Sequence, residues 1–136
     1  MVNKELSMSS RDNIIAAAEA YIFKGLVAQQ PELVPLADNC IRIELGVNTG
    51  SSGEHLRELL ASPVYDVVQE CYDLNWTVEG EQACVFYKQK LSFCDSPILI
   101  ATRFIVRDGL IHEIEILFYN HGMMDASCKA VAALCG

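Results

Sequence analysis

The sequence predicts an α+β fold, a cone-shaped α+β barrel in which a long N-terminal helix packs on a curved, mainly antiparallel sheet and encloses a pocket. Three observations carry this. Ile14, Ala18, Ile22 and Leu26 recur at four-residue spacing, with Ile15 and Tyr21 flanking the same apolar stripe, as one face of a helix requires. After Pro63 the pattern changes to long runs rich in β-branched and aromatic residues, separated by short turns. One of those turns is Asp108-Gly109 between two apolar runs, the strongest short-range hairpin signal. One helix laid on a curved sheet leaves an open mouth, and such a cone can hold a small molecule.

The elements follow in order. Residues 1–8 read as a loose tail and 9–136 as one domain. Ser9 or Ser10 reads as an N-cap, with Asp12 in the first turn where a carboxylate is favoured. The helix ends near Gln30, and Pro31 starts a short helical turn that stops before Pro35. Residues 40–45 read as a strand and 46–53 as a loop rich in Gly, Ser and Asn. Residues 54–61 form a short helix with Leu56, Leu59 and Leu60 on its apolar side, capped at Ser52 or Gly53. Four strands follow at 65–78, 83–92, 98–107 and 110–119, and a last helix spans 124–134.

Composition excludes several functions. The chain has 136 residues, 51 % of them hydrophobic, enough for one core and too many for disorder. The net charge is −8 and no Lys/Arg cluster is present, which argues against nucleic acid or an anionic membrane as partner. Charges interrupt every long apolar stretch, so none is long enough for a membrane span. Residues 1–11 are polar and lack a signal-peptide core, which makes the cytoplasm the expected location. The six cysteines, Cys40, Cys71, Cys84, Cys94, Cys128 and Cys135, are scattered, without CxxC or clustered histidines. They read as small buried hydrophobes, with Cys135 as a free thiol, and no metal is expected. The run Asn48-Thr49-Gly50-Ser51-Ser52-Gly53 has glycines but no Walker lysine, so no phosphate-binding cofactor is expected either.

The residue that draws attention to chemistry is Glu44, in Ile41-Arg42-Ile43-Glu44-Leu45. Alternation puts Arg42 and Glu44 on one face. Inside the cone, Glu44 could move protons; outside, it would be a solvated charge or a partner of Arg42. Tyr21 could donate a hydrogen bond to a substrate oxygen, or fill core. His112 lies in Leu110-Ile111-His112-Glu113-Ile114-Glu115-Ile116, where alternation groups it with Ile114, Ile116 and Phe118 and sets Ile111 with the two glutamates. That places His112 in the cone, as an acid or base or as a core histidine with one partner. Trp76, Phe86, Phe104 and Phe118, with Ile114 and Ile116, would line a pocket for a flat apolar ligand or form plain core. Met123-Met124 would close the mouth.

The element order resembles the superfamily of nuclear transport factor 2, ketosteroid isomerase, the SnoaL-like polyketide cyclases and limonene epoxide hydrolase, over residues 11–125. Residues 10–31 resemble the isomerase's first helix, including an aromatic hydroxyl at Tyr21. Leu36-Ala37-Asp38-Asn39-Cys40-Ile41-Arg42-Ile43-Glu44 resembles its Ala-Asp-Asp, strand and carboxylate segment, and residues 46–60 the loop and helix that follow. The resemblance implies Glu44 as general base and Tyr21 as oxyanion-hole tyrosine. Thr102 takes the place of that site's protonated aspartate and donates a weaker hydrogen bond. The epoxide hydrolases' Asp-Arg-Asp set has no counterpart on Phe86-Tyr87-Lys88-Gln89-Lys90. The outer sheet face would meet a second subunit, with Glu113 or Glu115 near Arg103 or Lys88.

The function these readings imply is cofactor-independent acid–base chemistry, an isomerase- or cyclase-type rearrangement of a small hydrophobic molecule, in a homodimer. Two other readings stay open. One is a non-catalytic ligand-binding or dimerisation module; the other is an epoxide hydrolase with a non-standard acid set.

Overall fold

The computed structural model describes residues 10–119 and 133–134. Helix α1 (Ser10–Glu19) runs directly into π-helical turns over Ala20–Val27. The wider turn is visible where the Ala28 N–H donates to the Phe23 carbonyl at 3.0 Å, five residues back. A 3-10 turn follows at Pro31–Leu33. Strand β1 (Leu36–Glu44) pairs with β2 (Val47–Gly50), and α2 (Gly53–Leu60) and a second 3-10 turn (Pro63–Val67) lead to β3 (Val68–Glu79). Strands β4 (Gln82–Leu91), β5 (Ile98–Arg107) and β6 (Leu110–Tyr119) complete an antiparallel meander. The sheet order is β2-β1-β6-β5-β4-β3, with β1 and β6 parallel. The sheet curves as expected without closing, and β2 and β3 form its edges. The expected helix over 124–134 lies outside the described residues, except for Ala133 and Leu134, which are helical and exposed. The N-terminal tail, Met123-Met124, Cys128 and Cys135 also lie outside them.

Local chemistry explains most boundaries. Asp108 and Gly109 take φ of 53° and 76°, the left-handed pair that a two-residue hairpin needs. Leu45 and Gly46, at 49° and 83°, make a second such turn inside the segment expected to be strand and loop. The leucine strains that turn, and the β1–β2 pairing and the Leu45 N–H bond to the Ile116 carbonyl at 3.0 Å hold it there. Ser52 caps α2 by accepting from the His55 N–H at 3.0 Å, while the Ser51 N–H donates to His55 Nδ1 at 3.0 Å. Strand β3 begins after a 3-10 turn at Val68, three residues beyond the expected start at 65.

One irregularity redirects side chains. In the β5–β6 ladder Ile105 pairs with Glu113 and Val106 with Ile111, so His112 is the extra residue of a bulge. Strict alternation therefore fails at His112. Ile111 turns inward with Ile114 and Ile116, whereas Glu113 and Glu115 point outward and pair with Arg103 of the same chain at 2.8 and 3.1 Å.

The core lies between α1 with its π-turns and the concave sheet face. Ala17, Ala18, Ile22 and Leu26 pack onto Ala83, Val85, Val106, Ile111 and Ile114. Behind Tyr21, Phe104 is fully buried, edge-on to the Tyr21 ring at 5.7 Å and tilted against Trp76 at 6.4 Å. On the other side of Tyr21 a cavity opens.

Candidate functional site

The cavity has a volume of about 560 Å³. Its apolar walls include Leu26, Leu91, Ile98, Ile100, Ile116 and Phe118, and its polar groups include Tyr21, Glu44, Tyr65, Tyr87 and Gln89. Tyr21 is placed by the π-turns, Glu44 by the last residue of β1, Tyr87 by the middle of β4, and Tyr65 by the 3-10 turn before β3.

Arg42 organises this end of the cone. It is 3 % exposed and every guanidinium nitrogen has a partner. Its Nη1 donates to the Tyr21 hydroxyl at 3.0 Å, its Nε to Thr49 Oγ1 at 3.0 Å, and its Nη2 to the Thr49 carbonyl at 3.4 Å. Its Nε also lies 3.4 Å from Glu44 Oε1, and its charge is 5.9 Å from the centre of the Tyr65 ring. The Glu44 side chain keeps 27 % of its surface exposed and faces the cavity. The alternation that put Arg42 and Glu44 on one face thus yields a buried cation beneath a cavity carboxylate, its charge compensated.

Electrostatics then fixes the phenols. Burial pushes the Tyr21 and Tyr87 hydroxyls well above the ordinary tyrosine value, and Arg42 offsets only part of that rise at Tyr21. Tyr65 is shifted upward for the same reason. All three are neutral donors at physiological pH. Because Tyr21 accepts from Arg42, that bond leaves its own proton uncommitted, on a side chain with no exposed surface.

The structure brings Glu44 and Tyr21 to one cavity and adds Tyr65 and Tyr87, which the sequence reading did not single out. Ile116 and Phe118 line the walls. Thr102 is not among the lining residues; it is 2 % exposed, and its side chain lies against the Tyr87 phenol. Phe104 and Ile114 are solid core, and Trp76 packs against it from the partly buried side. Phe86 is 68 % exposed on the opposite face of the sheet, because the inward parity of β4 belongs to Ala83, Val85 and Tyr87. His112, carried by the bulge, is half-buried and does not line the cavity. Among the described residues no cluster of His, Cys, Asp or Glu could hold a metal ion.

No curated protein matches the sequence. Solved structures match the fold. An LEH-like epoxide hydrolase from M. tuberculosis superposes with a TM-score of 0.68 at 19 % identity, covering 90 % of this chain and 95 % of that one. A SnoaL-like polyketide cyclase, so described, from Jannaschia sp. CCS1 gives 0.69 at 15 % identity, covering 87 % and 94 %. An NTF2-like protein of unknown function from Cytophaga hutchinsonii gives 0.63 at 12 %, covering 88 % and 98 %. The fold is therefore that of the NTF2-like superfamily. A family model, described as a domain of unknown function, matches residues 7–118. The chain accordingly belongs to that family, DUF8021, and carries it on an NTF2-like cone.

Proposed function

We propose that the domain is a cofactor-independent acid–base catalyst that rearranges a small hydrophobic molecule, by isomerisation or cyclisation, in the cone cavity. The observation that carries this is a charge-compensated carboxylate, Glu44, sharing an apolar cavity with a phenol, Tyr21, that the same buried Arg42 orients. In this reading Glu44 takes a proton from carbon and returns it. Tyr21, with Tyr87, donates to the oxygen on which charge develops, in surroundings where a hydrogen bond is worth more than in water. Thr102 supports Tyr87, and His112 has no part.

The ion pair favours a second reading, a ligand-binding module. Glu44 Oε1 already has a partner, the Arg42 Nε 3.4 Å away. One experiment separates the two. The wild-type chain and Glu44→Gln are incubated with small apolar β,γ-unsaturated ketones, polyenones and epoxides, and products are followed by mass spectrometry. The catalytic reading expects turnover by the wild type and a loss of about 10²- to 10⁴-fold in the variant. Binding of the same compounds by both proteins without turnover by either would support the binding module.

We also propose a homodimer through the outer sheet face and a cytoplasmic location. Phe86, Leu99 and Leu117 are exposed there, along a second, more open groove of about 790 Å³. Light scattering should give twice the monomer mass, and Leu117→Glu should halve it. No helix among the described residues is long and apolar enough to cross a membrane, and the four described cysteines are unpaired, as the reducing cytoplasm favours.

A further inference from the structure

We infer that the cavity selects hydrophobic molecules carrying a basic amine over neutral or acidic molecules of the same shape. The inference rests on the cavity being the ligand site, as proposed above, and goes further by naming the charge of what it takes.

Two kinds of group that attract cations line the cavity together. Tyr65, Tyr87, Phe93 and Phe118 contribute aromatic rings, and Glu44 and Asp95 contribute carboxylates. Among the described residues, no lysine or arginine lines the cavity. Arg42 lies behind them, with every nitrogen engaged by Tyr21, Thr49 and Glu44. The charges nearest the cavity are thus Arg42 and Glu44, which compensate each other, and Asp95, which has no partner among the described residues and is exposed in the segment joining β4 to β5. Among the described residues at the cavity the sum is one negative charge.

The consequences differ by ligand class. A carboxylate or phosphate ligand meets the Asp95 anion on entry and finds no free cation among the described lining residues to replace its water. A neutral ligand gains only apolar burial. An ammonium group gains the Asp95 charge at the mouth and the faces of the aromatic rings. The tyrosines present those faces as neutral phenols, because burial keeps their protons on. The chain as a whole, at net charge −8, draws cations towards it.

The test uses the full chain and three naphthalene probes of matched shape: 1-naphthylmethylamine, 1-naphthalenemethanol and 1-naphthoic acid. Their affinities are measured by calorimetry at pH 7 and moderate salt. The amine should bind about tenfold more tightly than the alcohol, the difference that cation–π and one nearby charge supply, and the acid more weakly than either. Asp95→Asn, a substitution at an exposed loop position, should bring the amine towards the alcohol and leave the alcohol unchanged. An alcohol that binds as well as the amine, or an acid that binds as well as the alcohol, overturns charge selection while the cavity still takes ligands. An unchanged preference in Asp95→Asn overturns it too. If none of the probes binds, the cavity reading itself fails and the selection with it.

Discussion

Replacing Arg42 with Met removes one charge from the centre of the site and keeps most of the side chain's volume. The structure sets the size of the effect. The Tyr21 hydroxyl, fully buried, loses the donor 3.0 Å away, and Glu44 loses the cation 3.4 Å from its Oε1. Removing one member of a buried pair costs about 3–5 kcal/mol, much of it because the survivor is left uncompensated. The exposed 27 % of Glu44 lets water recover part of that, so a loss of about 3 kcal/mol is expected. For a chain of this size that corresponds to a melting temperature lower by roughly 12 °C. The double variant Arg42→Met/Glu44→Gln leaves no unpaired charge. Its loss should be smaller than the sum of the two single losses by about 1–2 kcal/mol. Urea unfolding of the wild type, both singles and the double gives the four free energies, with constant slope as the check on two-state behaviour. Strict additivity, or a single loss below about 1 kcal/mol, would refute the claim that Arg42 and Glu44 act as a pair.

Other expectations follow from the same geometry. Gly50 faces Arg42 across the β1–β2 ladder, and a methyl group there would run into the Leu56 side chain of α2. Gly50→Ala should therefore cost about 1–3 kcal/mol in urea unfolding, and no loss would mean that α2 is looser than described. Tyr21, Tyr65 and Tyr87 hold their protons above the ordinary value of 10.0 because of burial. Once pH passes that value the unfolded chain releases protons that the folded chain keeps, so the stability they contribute is present below it and falls above it. Absorbance titration near 295 nm should show these phenolates appearing only with unfolding, and a normal titration of all five tyrosines while the chain stays folded would contradict their burial. Burial likewise pushes the Cys40 and Cys71 thiols up to about 12. Timed alkylation read by peptide mass spectrometry should label Cys84 and Cys94 before Cys40 and Cys71; early labelling of Cys40 would place it outside the core.

The fold was legible because its signals are local. The four-residue apolar spacing through α1 and the π-turns that continue it, the Asp108-Gly109 turn and the long β-prone runs each specify an element without help from the rest of the chain. What sequence patterns missed was set by tertiary structure. Leu45 looks like a strand residue, and only pairing of β1 with β2 holds it in a turn. The bulge at His112 reverses the inward parity of Ile111, and no residue type in that run announces it. Phe86 was legible in principle, since it shares parity with Lys88 and Lys90, a pair of cations that belongs outside; that parity sends Tyr87 inward. Tyr65 carried no signal, because a 3-10 turn imposes no apolar period to read. Glu44 and Arg42 were the converse case. Two charges two residues apart in a β run share a face, and the structure turns that face towards the cavity with the charges paired.

The central claim is that Glu44 carries a proton to and from a bound molecule. Deuterium incorporation tests it most directly. The wild type and Glu44→Gln are equilibrated in D₂O with an apolar ketone that both bind with equal affinity, and exchange at the carbon next to the carbonyl is followed by NMR. The account predicts exchange by the wild type well above the rate in buffer and exchange at the buffer rate in Glu44→Gln. Equal acceleration by both proteins would contradict it.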